Sequence, residues 1–266
     1  AEMIMREFPE IPPENIYMGT RKEKLNVDIL FDDGMHNVIK SNAAYPILMR
    51  RPWNQSATGM LAVNNYDEFL KLVEVISTSY STVKDDLKNP SIVALVAPSG
   101  SGKSEIAKSL LEKEPRFEKL LSYTTIDPTS KVENDWYSYV DKNEFFKMIE
   151  NNELFQSTMY AGHGFGSKRS DVDNLIGEGK TVLTIMDICG AMSLKTNFPN
   201  VTTIYIQRNR KDLLKSILRK NSSIEDKVDR IIAVEPESKN ADICDYVIEF
   251  DRYDDAVQQL RNILGV

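Results

Sequence analysis

Apolar positions along the chain change their period several times. Between residues 15 and 49 they fall in short unbroken runs at 15–19, 28–32 and 45–49, each bounded by polar residues, which predicts three buried strands. From 66 to about 82, Phe69, Leu70, Leu72, Val73, Val75 and Ile76 recur at helical spacing, which predicts a mostly buried helix. A charged stretch at 84–90, ending in Pro90, interrupts the pattern. Beyond it, 92–96 is wholly apolar and predicts a strand, followed by a helix at 103–112. Further helices are predicted at 143–151, around Val172, Leu175 and Ile176 up to Gly177-Glu178-Gly179, at 211–219 and at 254–264. Strands are predicted at 181–186, 201–206 and 245–250. Strands alternating with helices imply a parallel sheet covered on both faces. The pattern therefore predicts an α/β fold after the break and a smaller α/β unit before it.

Composition narrows the class. At 266 residues the chain has room for about two domains. With 41% hydrophobic and 27% charged residues it is not disordered, collagen-like or a coiled coil. No apolar run reaches the roughly 18 residues of a membrane helix, and the start carries no basic end followed by an apolar stretch. Cys189 and Cys244 cannot build a disulfide framework and read as buried thiols of a cytoplasmic protein. The net charge is −7, with −3 in residues 1–90 and −4 in the rest. Such even acidity argues against a nucleic-acid or membrane partner, while leaving room for a basic pocket that takes a small phosphate compound.

The strongest motif is Ala97-Pro98-Ser99-Gly100-Ser101-Gly102-Lys103-Ser104, between a predicted strand and a predicted helix. In that setting the loop amides from Ser99, Gly100, Ser101, Gly102, Lys103 and Ser104 cradle phosphate oxygens, helped by the positive end of the helix. Lys103 is placed to reach the outer phosphates of ATP, and the Ser104 hydroxyl to ligate Mg²⁺. The bland alternative is a Gly/Ser-rich turn with an incidental lysine.

Beyond that loop, SYTT from Ser122 to Thr125, Trp136-Tyr137-Ser138-Tyr139-Val140, EFFKMIENNELFQ, GHGFGS from Gly162 to Ser167 and TVLTIMDICG follow in order. Over residues 91–266 this resembles the guanylate kinases. The resemblance implies a P-loop kinase core, with a nucleotide-monophosphate-binding arm around 120–168 and an arginine-bearing lid around 208–230. It implies that Ser122 and Asp187 contact the acceptor base, that Tyr137 and Ser167 serve the acceptor site, and that Arg230 joins Lys103 in catalysis. ATP and a nucleoside monophosphate would be the partners, with Mg²⁺ as cofactor.

The chain also departs from the family pattern. Ile126 and Thr129 stand where the family has two arginines that grip the acceptor phosphate. Phe165 replaces a phosphate-binding tyrosine, Gln156 the glutamate that reads guanine, and Ile185 an aspartate. Ser216 and Lys220 fall on two further lid arginines. Two lost charged hydrogen bonds would cost about 3–6 kcal/mol unless replaced, and Lys131, Lys168 and Arg169 are the nearby candidates. Guanine offers two adjacent donors, which a carboxylate matches and an amide does not. GMP is therefore not expected to be the preferred acceptor.

Residues 1–90 resemble the C-terminal half of a haloacid-dehalogenase-type 5'(3')-deoxyribonucleotidase. Arg6–Asn15 carries REFPEIPPEN, Lys22 precedes Asp32-Asp33 by ten positions, and Arg51-Pro52-Trp53-Asn54 follows. The resemblance implies a phosphate-binding Lys22 and an acidic pair in which Asp33 holds Mg²⁺. The alternative is that Asp32-Asp33 caps a turn at a strand end. That chemistry needs an aspartate nucleophile in D-x-D after an apolar strand. Neither Asp171-Val172-Asp173 nor Asp187-Ile188-Cys189 provides it. The expected domains are thus a partial Rossmann-like segment at 1–88 and a kinase-like domain at 89–266. A catalytically weak binding module and a fragment of a bifunctional nucleotidase/kinase are the competing readings.

Overall fold

A computed structural model of the chain describes residues 2–12, 21–79, 91–127, 135–160, 163–220 and 222–266. The expected strand at 15–19, the far end of the helix expected to reach 82, and the break at 84–90 lie outside these residues. In chain order the elements are α1 (Glu2–Glu7), β1 (Ile29–Asp32), α2 (Met35–Lys40), β2 (Tyr45–Met49), β3 (Ala62–Val63) and α3 (Tyr66–Ser79). Then come β4 (Ile92–Val96), α4 (Lys103–Lys113), β5 (Phe117–Lys119), β6 (Ser122–Thr124), β7 (Tyr137–Tyr139), α5 (Lys142–Glu150), β8 (Leu154–Tyr160) and β9 (His163–Lys168). The chain closes with α6 (Arg169–Gly177), β10 (Thr181–Ile185), α7 (Ile188–Asn197), β11 (Val201–Gln207), α8 (Arg210–Arg219), α9 (Ile224–Ser238), β12 (Tyr246–Glu249) and α10 (Tyr253–Leu264).

The main sheet runs β12-β11-β4-β10-β5 and is parallel throughout. Its central strand β4 is buried at every position. Val93 and Leu95 pack under α4 and α10 with Ile106, Leu110, Val257 and Leu260. Ile92, Ala94 and Val96 face the other way, towards Ala191, Leu194 and Phe198. Helices therefore cover both faces, which is why β4 reads as a continuous apolar run instead of alternating. Just before β12, Asp245 accepts from Lys195 Nζ at 2.6 Å and from the Thr203 amide and hydroxyl, both at 2.8 Å. These contacts tie α7 to β11 and the start of β12.

A second sheet, β7-β6-β9-β8, stands apart from the main one. β6 pairs with β7 in parallel and with β9 antiparallel, and β8 pairs with β9 with an irregularity between Leu154 and Gln156. Its short, Gly- and Tyr-rich strands lack the apolar run or strict alternation that would have marked them in the sequence. The buried ring of Phe145 from α5 fills its inner face, and glycine at 164 leaves room for that ring.

The N-terminal unit holds the parallel sheet β1-β2-β3. β1 and β2 coincide with the expected strands. The observed third member is the two-residue β3. Helix α3 is amphipathic, not mostly buried: Leu72 and Ile76 are buried, whereas Leu70 is 63% exposed. Its inner face joins Ile47, Met49 and Leu61 in the same apolar cluster as α7. Cys189 lies on α7, and its Sγ meets the Ala62 amide at 3.3 Å and the Met60 carbonyl at 3.4 Å. On the other side, Asn240 Nδ2 donates to Gly59 O at 3.1 Å and Lys239 Nζ to the Ile39 and Ser41 carbonyls. The unit is thus packed against α7 and the end of α9.

Removing one partner of a buried pair strands the other, at a typical cost of about 3–5 kcal/mol. Asp245→Ala is expected to destabilise the protein by that amount in equilibrium denaturant melts at neutral pH, because Lys195 and both Thr203 donors lose their acceptor together.

Candidate functional site

The site begins where β4 ends. The turn 97–102 reverses the chain into α4, whose first turn has no side-chain cap. Gly102 sits at φ +90°, and a Cβ there would lie 2.3 Å from Cε1 of Tyr253. Only glycine fits both the backbone conformation and the space. The Ser101 hydroxyl is buried without a hydrogen-bond partner, an orphan consistent with a loop shaped to receive a polar ligand.

Four cations converge on this loop. Lys103 Nζ donates to the carbonyls of Ala97 at 3.1 Å and Pro98 at 3.4 Å. Arg230 Nη1 donates to Ser99 Oγ at 2.5 Å, and Lys220 Nζ reaches the same oxygen at 3.4 Å. Arg208 Nη1 donates to Gly100 O at 3.1 Å and to the Tyr253 hydroxyl at 3.1 Å. The Nε of Arg230 is held by Asp226 at 2.8 Å, one turn earlier on α9. That guanidinium in turn keeps the Asp226 carboxyl below its usual range. Burial pulls Lys103 down to about 8, and the neighbouring Lys220 and Arg230 charges add to this while Glu237 opposes it. Lys220 is likewise lowered, by burial first and then by Arg230. Cations crowded tightly enough to depress one another are a site that an anion would relieve.

Glu237 shares this pocket from the end of α9. Burial pushes its carboxyl up to about 7, against the pull of the Lys103 charge and a hydrogen bond from the Ser99 amide. Its Oε2 is buried without a partner. Glu237, Arg208 and Tyr253 were not singled out in the sequence. Each lies far along the chain from residues 97–104 and reaches the loop only through the fold.

The second sheet gathers most of the expected acceptor residues. Ser122 Oγ and Ser167 Oγ lie 3.5 Å apart, and Gln156 Nε2 donates to Ser167 Oγ at 3.4 Å. Tyr137 is the register partner of Ser122. Its ring lies 5.7 Å from that of Phe165 and 6.4 Å from that of Tyr139. Burial raises the Tyr137 hydroxyl pKa, while Arg230 lowers it, so the charge of α9 is felt on the acceptor face. Asp187 is exposed and does a local job: as N-cap of α7 it accepts from the Gly190 amide at 2.7 Å. The cationic substitutes are engaged elsewhere. Lys168 pairs with Glu153 at 2.8 Å, and Arg169 binds Asn197 and stacks on Phe198. Thr129 and Lys131 lie outside the described residues. Ile126 is half-buried, and His163 contacts the Thr125 carbonyl at 3.2 Å.

For Mg²⁺, Ser104 opens α4 beside Lys103. Among the described residues no cluster of three or more His, Cys, Asp or Glu side chains could hold a metal. The donor set fits an ion that arrives with a nucleotide, whose phosphates supply most of its ligands.

In the N-terminal unit the acidic pair divides its work. Asp33 is exposed, and its carbonyl accepts from Asn54. Buried Asp32 accepts from Lys22 Nζ at 2.6 Å, the Gly34 amide at 2.7 Å and Asn37 Nδ2 at 3.0 Å. Burial by itself raises the Asp32 pKa, and these three donors outweigh it, leaving the pKa below 3.8.

A phosphate loop opening a helix from the central strand of a parallel sheet, ringed by cations and faced by a separate small sheet, defines the class of P-loop kinases. Residues 89–265 match the family model described as "Guanylate kinase". Residues 1–79 match that of "5' nucleotidase, deoxy (Pyrimidine), cytosolic type C protein". A guanylate kinase of Synechocystis is 30% identical over 177 residues, which are 65% of this chain and 93% of the relative. One of Rickettsia bellii is 30% identical over 176 residues, 65% and 92% of the two chains. The crystal structure of guanylate kinase from Anaplasma phagocytophilum superposes with a TM-score of 0.53 at 23% identity, covering 67% of this chain and 86% of that one. The chain belongs to the guanylate kinase family. No helix among the described residues is long and apolar enough to cross a membrane.

A depressed carboxylate pKa adds stability above the ordinary value of 3.8 that fades as pH falls through the folded-state value. Asp32→Asn is therefore expected to lose about 1–3 kcal/mol at pH 7. The deficit should shrink as thermal melts are repeated at pH falling from about 4 through the lower folded-state value, where the native carboxyl itself becomes protonated.

Proposed function

We propose that this protein transfers a phosphoryl group from ATP to a nucleoside monophosphate, and that GMP is not the acceptor it prefers. The observation that carries the reading is the convergence of Lys103, Arg208, Lys220 and Arg230 on the loop at 97–104. In this reading residues 89–266 form the catalytic domain and 1–88 a separate nucleotidase-like segment. The loop amides of 99–104 hold the ATP phosphates, and Lys103 and Arg230 neutralise charge on the phosphoryl group as it moves. Ser104 would ligate Mg²⁺, which supplies further charge neutralisation when bound with ATP. Catalysis is positioning and electrostatics, with no covalent enzyme intermediate.

The acceptor enters against Ser122, Tyr137, Gln156 and Ser167, with Asp187 at the end of β10. Here the substitution at 156 decides the base. The Gln156 amide already spends a donor on Ser167, leaving its oxygen as a single acceptor for a base edge. Guanine's paired donors want two acceptors. The aromatic surface of Tyr137 and Phe165 favours stacking over a charged grip on the acceptor phosphate.

A second reading, a nucleotide-binding module with little turnover, draws on Ile126 standing in the place of a phosphate-gripping arginine. The two separate on one pair of measurements. Calorimetry should show MgATP binding that Lys103→Ala abolishes, and ADP release should accompany at least one of GMP, dGMP, AMP, UMP and CMP. Binding without turnover on any of them favours the module.

Steady-state rates across that panel are expected to place GMP behind another monophosphate, and GMP leading by a wide margin would overturn the acceptor assignment. Gln156→Glu restores a paired acceptor and is expected to raise kcat/KM for GMP by about tenfold, the size of one good hydrogen bond.

A further inference from the structure

The kinase reading leaves Glu237 without a task. It lies within the cationic pocket, yet it is acidic and would repel phosphate if it faced the ligand directly. Its hydrogen bond comes from the Ser99 amide at the head of the loop. The backbone carbonyl of the same residue accepts from the Tyr205 hydroxyl at 3.0 Å, which fixes it to β11. The glycine at 59 closes in from the N-terminal unit at φ +80°. A Cβ on Gly59 would come within 2.8 Å of Glu237 Cγ and 3.2 Å of the Ala233 carbonyl. Asn240, three residues further on, donates to the Gly59 carbonyl. The turn around 59 and the end of α9 therefore meet with no room to spare, and the Glu237 side chain runs from that contact to the loop.

We propose that Glu237 is a positioning residue of the phosphate loop, gripping the Ser99 amide on one side and seated by the Gly59 turn of the N-terminal unit on the other. Its work is to hold the head of the loop so that the following amides and Lys103 present themselves together to phosphate. A Ser99 amide left without its acceptor would let residues 98–100 relax away from that shape. Arg230 and Lys220 both bond the hydroxyl of the same Ser99, so its displacement would disturb the cations as well. The N-terminal unit then contributes to nucleotide binding without touching the nucleotide. This inference rests on ATP occupying the loop.

The test compares wild type with Glu237→Ala, Glu237→Gln, Gly59→Ala and Gly179→Ala. MgATP affinity is measured by calorimetry, and KM for ATP and for the monophosphate by steady-state kinetics, with the folded fraction checked by circular dichroism. Gly179 also has positive φ, at +74°, but a Cβ there meets nothing within 4 Å, so it controls for backbone strain alone. Glu237→Ala is expected to weaken MgATP roughly tenfold or more, the worth of one charge-assisted hydrogen bond. KM for the monophosphate should stay within about twofold. Glu237→Gln keeps an acceptor for the Ser99 amide and should stay within about threefold of wild type. Gly59→Ala should weaken ATP in the manner of Glu237→Ala, while Gly179→Ala should match wild type. Failure of wild type itself to bind MgATP would sink the kinase reading and this inference with it. If wild type binds, equal affinity in Glu237→Ala overturns the inference alone, as does a Glu237→Gln as weak as the alanine variant. A Gly59→Ala protein indistinguishable from Gly179→Ala overturns the part played by the N-terminal unit, and it carries the test should Glu237→Ala not fold.

Discussion

Everything in the functional half hangs from β4. It is hydrogen-bonded in parallel to β10 on one side and β11 on the other, and both its faces lie under helices. A strand so enclosed cannot shift register without moving apolar side chains from one covered face to another. The loop at 97–104 leaves from its end, so the direction of those amides is inherited from the most constrained element in the protein. α4 then continues the loop into the same apolar cluster, with Ile106 and Leu110 against Val93 and Leu95.

Charge around this anchor is arranged from elements distant in sequence. Arg208 follows β11, Lys220 follows α8, and Arg230 and Glu237 come from the middle and the end of α9. Their effect comes from convergence: cations gathered around residues 97–100, with Asp226 and Glu237 as local counter-charges, make a pocket whose repulsion an incoming triphosphate would relieve. The acceptor face is built differently. Hydroxyls and an amide at 122, 156 and 167 and rings at 137 and 165 stand there in place of charge; in the proposed reading this would move recognition from the acceptor's phosphate towards its base.

The N-terminal unit keeps the packing of a domain while using its polar centre for structure. Asp32 is saturated by Lys22, Gly34 and Asn37, an arrangement that stabilises the turn after β1. Its apolar side merges with α3, α7 and the main core. The half that resembles a nucleotidase is thus built into the kinase fold as a flank of α7 and α9.

The apolar periodicity of the sequence by itself determined four of the five strands of the main sheet: β4, β10, β11 and β12, with α4 and α10 on one face, lie within a residue or two of where the runs predict them, because burial on both faces leaves an unmistakable signature. The loop at 97–104 was equally legible, since its glycines and lysine are contiguous. The second sheet was not, because its strands are short and one-sided and their pairing is long-range. Helix α7 was missed because apolar residues surround most of it and blur its period, and α9 because Ile224, Val228 and Ile232 lie exposed. Only the tertiary structure decided which cations meet the loop, that Lys168 and Arg169 are spent elsewhere, and that Glu237 lies between Ser99 and Gly59. Those outcomes depend on contacts between residues well separated along the chain, from 15 positions for Lys168 and Glu153 to more than a hundred for the cations at the loop, and no local pattern encodes such distances.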